Sequence, residues 1–251
     1  MTLVLPTKPS QPKTKNPRIL MFYSTPKAGK TTILAGLKNC LIIDLEGGTD
    51  FVNAMSVDGS SLVKLRDIKK ALSAPDAPRY DYVALDPITR LEDIVLPLAL
   101  AKYKSTPQGS TFAGDNVLHL PNGAGYLWLR QAFEDVVFGF KDFPTKALIL
   151  SGHLREKLLE KDGKEVSFVE IDLTGKLRSI MSGHADAIAR LYRETGEDGV
   201  NRGIMSFKRK DEAVIAGARP LHLRDQEIVI SELQTDGSVI THWDRIFVPE
   251  D

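Results

Sequence analysis

Arg18-Ile19-Leu20-Met21-Phe22-Tyr23-Ser24-Thr25-Pro26-Lys27-Ala28-Gly29-Lys30-Thr31-Thr32 reads as a strand that runs straight into a phosphate-binding loop. Residues 19–23 are apolar without alternation, the pattern of a parallel strand buried on both faces. Residues 31–38 read as the opening of a helix. In such a loop the backbone N–H groups of the turn and of the helix N-terminus face the phosphates. The lysine reaches the outer phosphates, and the hydroxyl that follows it ligates Mg2+. The spacing assigns nucleotide contact to Ser24, Thr25, Pro26, Lys27, Ala28, Gly29, Lys30, Thr31 and Thr32, with ATP and Mg2+ as the cofactors. One position departs from G-x-x-x-x-G-K-[ST]: Ser24 stands where glycine is usual and lacks glycine's freedom at positive φ. An ordinary helix-start turn shares the bare Gly-Lys-Thr core, so the apolar strand in front of it is what favours the phosphate loop.

The 251 residues are enough for one large α/β domain, not for two equal ones. Hydrophobic content of 42% and charged content of 26% fit a globular protein. No apolar stretch approaches membrane-spanning length, so a cytoplasmic location without membrane partners is expected. Lys plus Arg and Asp plus Glu number 33 each. With no net charge, any nucleic-acid binding has to come from local clusters. Residues 1–17 are rich in lysine and proline without an apolar centre, which reads as a flexible tail and no secretory signal. The domain is expected over 18–245, with a short tail at 246–251. Cys40 is the one cysteine, which excludes an intramolecular disulfide and fits a reducing compartment.

Four short apolar runs, 19–23, 40–43, 82–85 and 147–150, read as parallel core strands. Helical patterns lie between them at 31–38, 61–74 (Leu62, Leu65 and Leu72 on one face), 88–104 and 126–140. The third contains Pro97, which should kink or shorten it. The fourth places Leu129, Phe133, Val136, Val137 and Phe140 on one side. Alternating strands and helices imply a doubly wound α/β sheet with ligands at the C-terminal strand ends. After Leu150 the texture changes. Residues 154–159 and 166–173 flank Lys161-Asp162-Gly163-Lys164, a hairpin signal, and 177–181 reads as a short helix. Strand candidates follow at 187–192, 203–207, 220–223 and 228–233, taken as antiparallel additions to the same sheet, with turns at 195–199 and 235–237. The stretch 105–125 is a long Gly, Ser, Pro and Asn-rich loop of the kind that is usually functional or disordered.

Tyr82-Val83-Ala84-Leu85-Asp86 is an apolar strand closed by an aspartate. Asp86 beside the phosphate loop would hold Mg2+ through a bound water; the other reading is a cap on the helix that Pro87 would open. Pro87 occupies the place of the catalytic glutamate found after this aspartate in many ring ATPases, so a base must come from elsewhere. Leu41-Ile42-Ile43-Asp44-Leu45-Glu46-Gly47-Gly48 ends another strand with two carboxylates. They are either functional or merely solvated in a turn.

On these motifs the chain resembles the RecA-like P-loop ATPase superfamily, and within it the small phage RecA-like single-strand annealing ATPases. In them a loop with a Pro-Lys pair, a Glu-Gly-Gly strand end and an Asp-terminated third strand follow in this order. The resemblance spans residues 18–219. It implies a RecA-like core with a mostly parallel twisted sheet, helices on both faces and antiparallel C-terminal strands. It further implies DNA-stimulated ATP hydrolysis, binding of single-stranded DNA, phage recombination or annealing in a host cytoplasm, and assembly into a homo-oligomeric ring or filament. A single-strand DNA-binding protein is a further implied partner. By the same resemblance Glu46 activates water, and His153, closing Leu148-Ile149-Leu150-Ser151-Gly152-His153, senses the γ-phosphate. Lys208, Lys210 and Arg219 would be the cations that reach a neighbour's nucleotide. The plainer readings are a structural histidine and a solvated charge run.

DNA contact is expected on 105–125 and on 155–178. The second carries Arg155, Lys157, Lys161, Lys164, Lys176 and Arg178. The first offers Phe112, with Tyr126 and Trp128 at its exit, as stacking groups, unless these aromatics belong to the core. Asp186 reads as structural. His119, His184, His222 and His242 show no metal-ligand spacing with one another or with Cys40, so no zinc site is expected. Two other functions fit a phosphate loop: a nucleotide kinase, and a non-hydrolysing module in which nucleotide sets oligomer state.

Overall fold

β1 (Ile19–Ser24) is buried along its whole length because it separates two cores. Ile19, Met21 and Tyr23 point into one, Leu20 and Phe22 into the other. The computed structural model describes residues 5, 7–9, 14–161, 164–209 and 214–249, with backbone alone at 159–161 and 164–166. Within these, the parallel strands are β2 (Cys40–Asp44), β3 (Ser56–Asp58), β4 (Tyr82–Asp86), β5 (Ala147–Lys161) and β7 (Ala187–Thr195), together with β1. β6 (Lys164–Ile171) pairs antiparallel with β5, and β8 (Asn201–Ser206) and β9 (Gly217–Ala218) pair antiparallel with β7; β10 (Glu227–Leu233) is antiparallel to β8, and β11 (Val239–Thr241) to β10. The strand order is β11-β10-β8-β7-β1-β5-β4-β2-β3, with β6 paired to β5 and β9 to β7.

Helices cover both faces, which is why the central strands do not alternate. One core takes Ile33 and Leu34 of α1 (Lys30–Ala35) and closes with Trp243 and Ile246. The other takes Leu65 and Ile68 of α2 (Leu62–Leu72), Leu91 and Ile94 of α3 (Leu91–Ile94), and Ala99 of α4 (Leu96–Lys104). It also takes Leu129, Phe133, Val137 and Phe140 of α5 (Gly125–Lys141), and Leu177 and Met181 of α6 (Lys176–His184). The Ser61 hydroxyl starts α2 by accepting from Lys64 N at 3.3 Å, and Lys69 and Lys70 sit at its negative end. Packing runs past both ends of the expected domain: Asn16 and Val248 exchange two hydrogen bonds of 2.7 and 2.8 Å, and Phe247 stacks on Trp243.

The α/β class and the mostly parallel sheet agree with the sequence reading, with four local corrections. The first of the late strands, β7, is parallel to β1, not antiparallel; α6 supplies the crossover that a parallel neighbour needs. Residues 220–223 form no strand, because Pro220 has no N–H to give a ladder and Leu223 N turns back to Pro220 O at 3.2 Å. The 88–104 helix is broken at Val95, and Pro97 lies in the first turn of α4 where its missing N–H costs nothing. The 105–125 stretch is partly core: Val117 and Leu120 are buried.

Candidate active site

The sheet order brings the ends of β1, β4 and β2 into one row with the middle of β5, which runs on past the row instead of ending at His153. Ser24 ends β1 opposite His153 of β5, and Asp86 ends β4 opposite Asp44 of β2. With Leu85 opposite Leu150, the next pair up joins Asp86 and Ser151. β5 thus separates the phosphate-loop strand from the Asp86 strand, and β2 lies beyond both.

The loop's turns fall at Lys27 (φ 63°) and Gly29 (φ 93°), not at Ser24. Ser24 is the last extended residue of β1, so the missing glycine at that place costs no backbone strain. Its hydroxyl donates to Thr25 O at 3.0 Å and accepts from Lys30 Nζ at 3.4 Å. Lys30 is buried, and its ammonium also meets His153 Nδ1 at 3.5 Å. Burial lowers its pKa from the ordinary value against the pull of Asp86 and Glu46. A buried ammonium with only long contacts keeps N–H directions to offer to phosphate oxygens.

Asp86 caps no helix. Its Oδ2 accepts from Thr31 Oγ1 at 2.6 Å, its Oδ1 accepts from Ser151 Oγ, and the 3-10 turn Ile88–Arg90 has no side-chain cap. Burial raises its pKa, opposed by the Ser151 and Thr31 hydrogen bonds and the Lys30 charge. A carboxylate and a hydroxyl in contact beside a phosphate loop are the hard oxygen donors that Mg2+ takes. The donor set therefore fits a magnesium nucleotide held by Lys30, Thr31 and Asp86.

Asp44 is an anchor. Its carboxylate accepts from the backbone N–H of Glu46, Gly47, Gly48 and Thr49, at 2.7 to 3.2 Å, and from Thr49 Oγ1 at 2.6 Å. Burial alone would raise its pKa, but these hydrogen bonds outweigh burial and lower it. The turn they fix, with Gly47 at φ 85°, presents Glu46 to His153 Nε2 at 3.2 Å. An ammonium can only donate, so Nδ1 accepts from Lys30 and the ring proton is assigned to Nε2, from which it donates to Glu46 Oε2. Of the two carboxylates, Asp44 is committed to backbone and Glu46 is open.

The remaining candidates lie apart from this row. Lys208 pairs with Glu227 at 2.9 Å, and Lys210 lies outside the described residues. Arg219 pairs with Asp186 at 2.8 Å. Asp186 Oδ2 in turn accepts from Arg18 N and Ile19 N, so this pair sits at the start of β1, the end of the sheet opposite the loop. In the hairpin, β5 and β6 pair out to Lys161 and Lys164; Asp162 and Gly163 lie outside the described residues. Arg155 and Arg178 both bind the buried Glu170, at 2.9 and 2.5 Å, whereas Lys157 and Lys176 are exposed. Phe112 and Trp128 flank Tyr103, with ring centroids at 5.4 and 5.8 Å, and pack against the core, while Tyr126 is exposed.

Two contributors escaped the sequence reading. Ser151 carried a signal, a hydroxyl two residues before His153 on the same face of a strand. Arg193 of β7 carried none: it donates to Ala28 O at 3.0 Å only because β7 lies beside β1.

Two among the many solved structures that resemble the chain do so over most of its length. One is the RadB recombinase, at 14% identity over 89% of this chain and 90% of that one, with a TM-score of 0.45. The other is a KaiC-like protein from Pyrococcus horikoshii, at 12% identity over 90% and 89%, with a TM-score of 0.43. No curated protein sequence matches the chain. An AAA domain family matches residues 16–219, which hold every residue of the strand-end row and of the loop, and the chain belongs to that AAA domain family.

Proposed function

We propose that the protein is a RecA-like ATPase that binds single-stranded DNA and promotes recombination or strand annealing for a phage. One observation carries this reading: His153 bonds both Lys30 and Glu46, and it lies on a strand that continues without a break from the sheet into the β5–β6 hairpin. Lys30 holds the outer phosphates, and Thr31 with Asp86 holds the metal. Bound there, Mg2+ supplies positive charge against that of the phosphates. Glu46 takes the proton of the attacking water on Oε1, while His153 occupies Oε2. When Lys30 turns to phosphate, His153 Nδ1 loses its donor, and the strand that carries the imidazole is the one that leads into the hairpin proposed to meet DNA.

Steady-state ATP turnover with and without single-stranded DNA tests the reading. Stimulation by DNA is the expected result. Phosphate transfer to a nucleoside monophosphate would make the protein a kinase, and ATP binding without turnover would make it a nucleotide-set interaction module.

A further inference from the structure

Arg193 stands over the phosphate loop on a strand that carries none of the motifs. β7 parallels β1 with Arg190 opposite Tyr23, so three more residues take it past the end of β1 to the level of the loop. There Arg193 Nε donates to Ala28 O at 3.0 Å, and Nη1 donates to Asn201 Oδ1 of neighbouring β8 at 3.2 Å. Nη2 lies against Gly29: a Cβ on that residue would come within 2.7 Å of it. Glycine at 29 is favoured by its φ of 93°, and a side chain there would also displace the guanidinium from its face.

The Ala28 carbonyl and the Gly29 N–H belong to one trans peptide, so they point in opposite directions. A donor that holds the carbonyl outward aims that N–H into the loop, where a phosphate oxygen accepts it. Asn201 fixes the other arm of the fork, which a lysine's point charge cannot do at both places. We infer that Arg193 is a positioning residue for nucleotide binding: from β7 it sets the Ala28–Gly29 peptide and adds a fixed positive charge beside the loop. It serves nucleoside di- and triphosphates alike, because the peptide it sets is used by both. This role rests on the nucleotide reading above.

The test is calorimetric binding of Mg-ATP and Mg-ADP to the full chain, with ATP turnover measured alongside. Arg193→Ala is expected to weaken both nucleotides about tenfold, the worth of one charge-assisted hydrogen bond. Turnover at saturating ATP should stay within about twofold, since the lost interaction is equal in ground and transition states. Arg193→Lys should recover only part of the affinity. If wild type binds neither nucleotide, the parent reading fails. If wild type binds and Arg193→Ala binds equally well, the role of Arg193 fails alone. A loss confined to ATP overturns it too, because the charge would then act on the outermost phosphate. Should Arg193→Ala not fold, Arg193→Lys decides: affinity equal to wild type overturns the inference, and weaker binding of both nucleotides supports it.

Discussion

His153 Nε2 lies 3.2 Å from Glu46 Oε2, although the two residues are 107 apart in sequence and their strands are not neighbours. The Asp44 turn carries Glu46 over the end of β4 to reach it. A carboxylate whose one oxygen is held by a neutral imidazole is fixed in place without losing its second oxygen as an acceptor. Glu46→Gln should therefore keep ATP affinity and lose turnover by a factor on the order of 10² or more, since an amide cannot accept the water's proton. Turnover within a few-fold of wild type, by phosphate release, would move the base elsewhere.

Lys30→Ala should weaken ATP binding by on the order of 10²-fold, because it removes the loop's own charge-assisted donor to the outer phosphates. Stability should not fall. The ammonium is buried with contacts of only 3.4 and 3.5 Å, and its lowered pKa means that burial already disfavours its charge. Calorimetry and urea denaturation of the same variant check both halves; normal affinity in a folded variant would refute the loop assignment.

The Asp44 turn gives a pH signature. Its carboxyl titrates below the ordinary 3.8, so its stabilisation is complete above that value and is lost as pH falls through the lower folded value. Asp44→Asn should lower stability at neutral pH and flatten the acid limb of the stability profile below about pH 4. Parallel urea midpoints for the two proteins across the acid range, with no loss at neutral pH, would mean that the turn does not depend on this charge.

Cys40 tests the core from a different side. Its thiol is buried on β2 and pushed up to about 12, by burial first and the Asp86 charge second. It should resist thiol reagents in the native protein and react on unfolding in urea. Native-state reaction at the rate of a free thiol would contradict the burial of β2.

Lys208 is bonded within its own chain, so a role at a neighbour's nucleotide requires the Glu227 pair to open on assembly. The pair is exposed enough for that, worth about 1 kcal/mol or less. Lys208→Ala should leave ATP binding by the isolated subunit intact and lower turnover in the assembled state. Mixing it with Glu46→Gln subunits should restore activity. No rescue in confirmed mixed assemblies would exclude action between subunits.

The central strands were legible because residues buried on both faces leave an unbroken apolar run, and α2 and α5 because their apolar residues recur at helical spacing. Strands β3, β9 and β11 escaped because two or three residues carry no periodicity. The direction of β7 escaped because direction depends on which neighbour it meets. At the candidate site, Lys30 and Thr31 could be named from the loop motif, and Asp86, Glu46 and His153 from the close of apolar runs. Their order in space could not, since β5 enters between β1 and β4 only in the folded sheet. Arg155 and Arg178 looked like phosphate contacts because the sequence does not reveal that Glu170, on the facing strand, binds both.

The central claim is that nucleotide state reaches the hairpin along β5, and the most direct measurement is the affinity for single-stranded DNA in the presence of ATP and of ADP, over a range of salt. The account predicts tighter binding with ATP. Replacing Lys157, Lys161 and Lys164 together with Ala should weaken binding and lower the salt slope by about two to three phosphate contacts, with ATP affinity unchanged in the absence of DNA. Equal DNA affinity in the two nucleotides, with an unchanged salt slope in the triple variant, would contradict it.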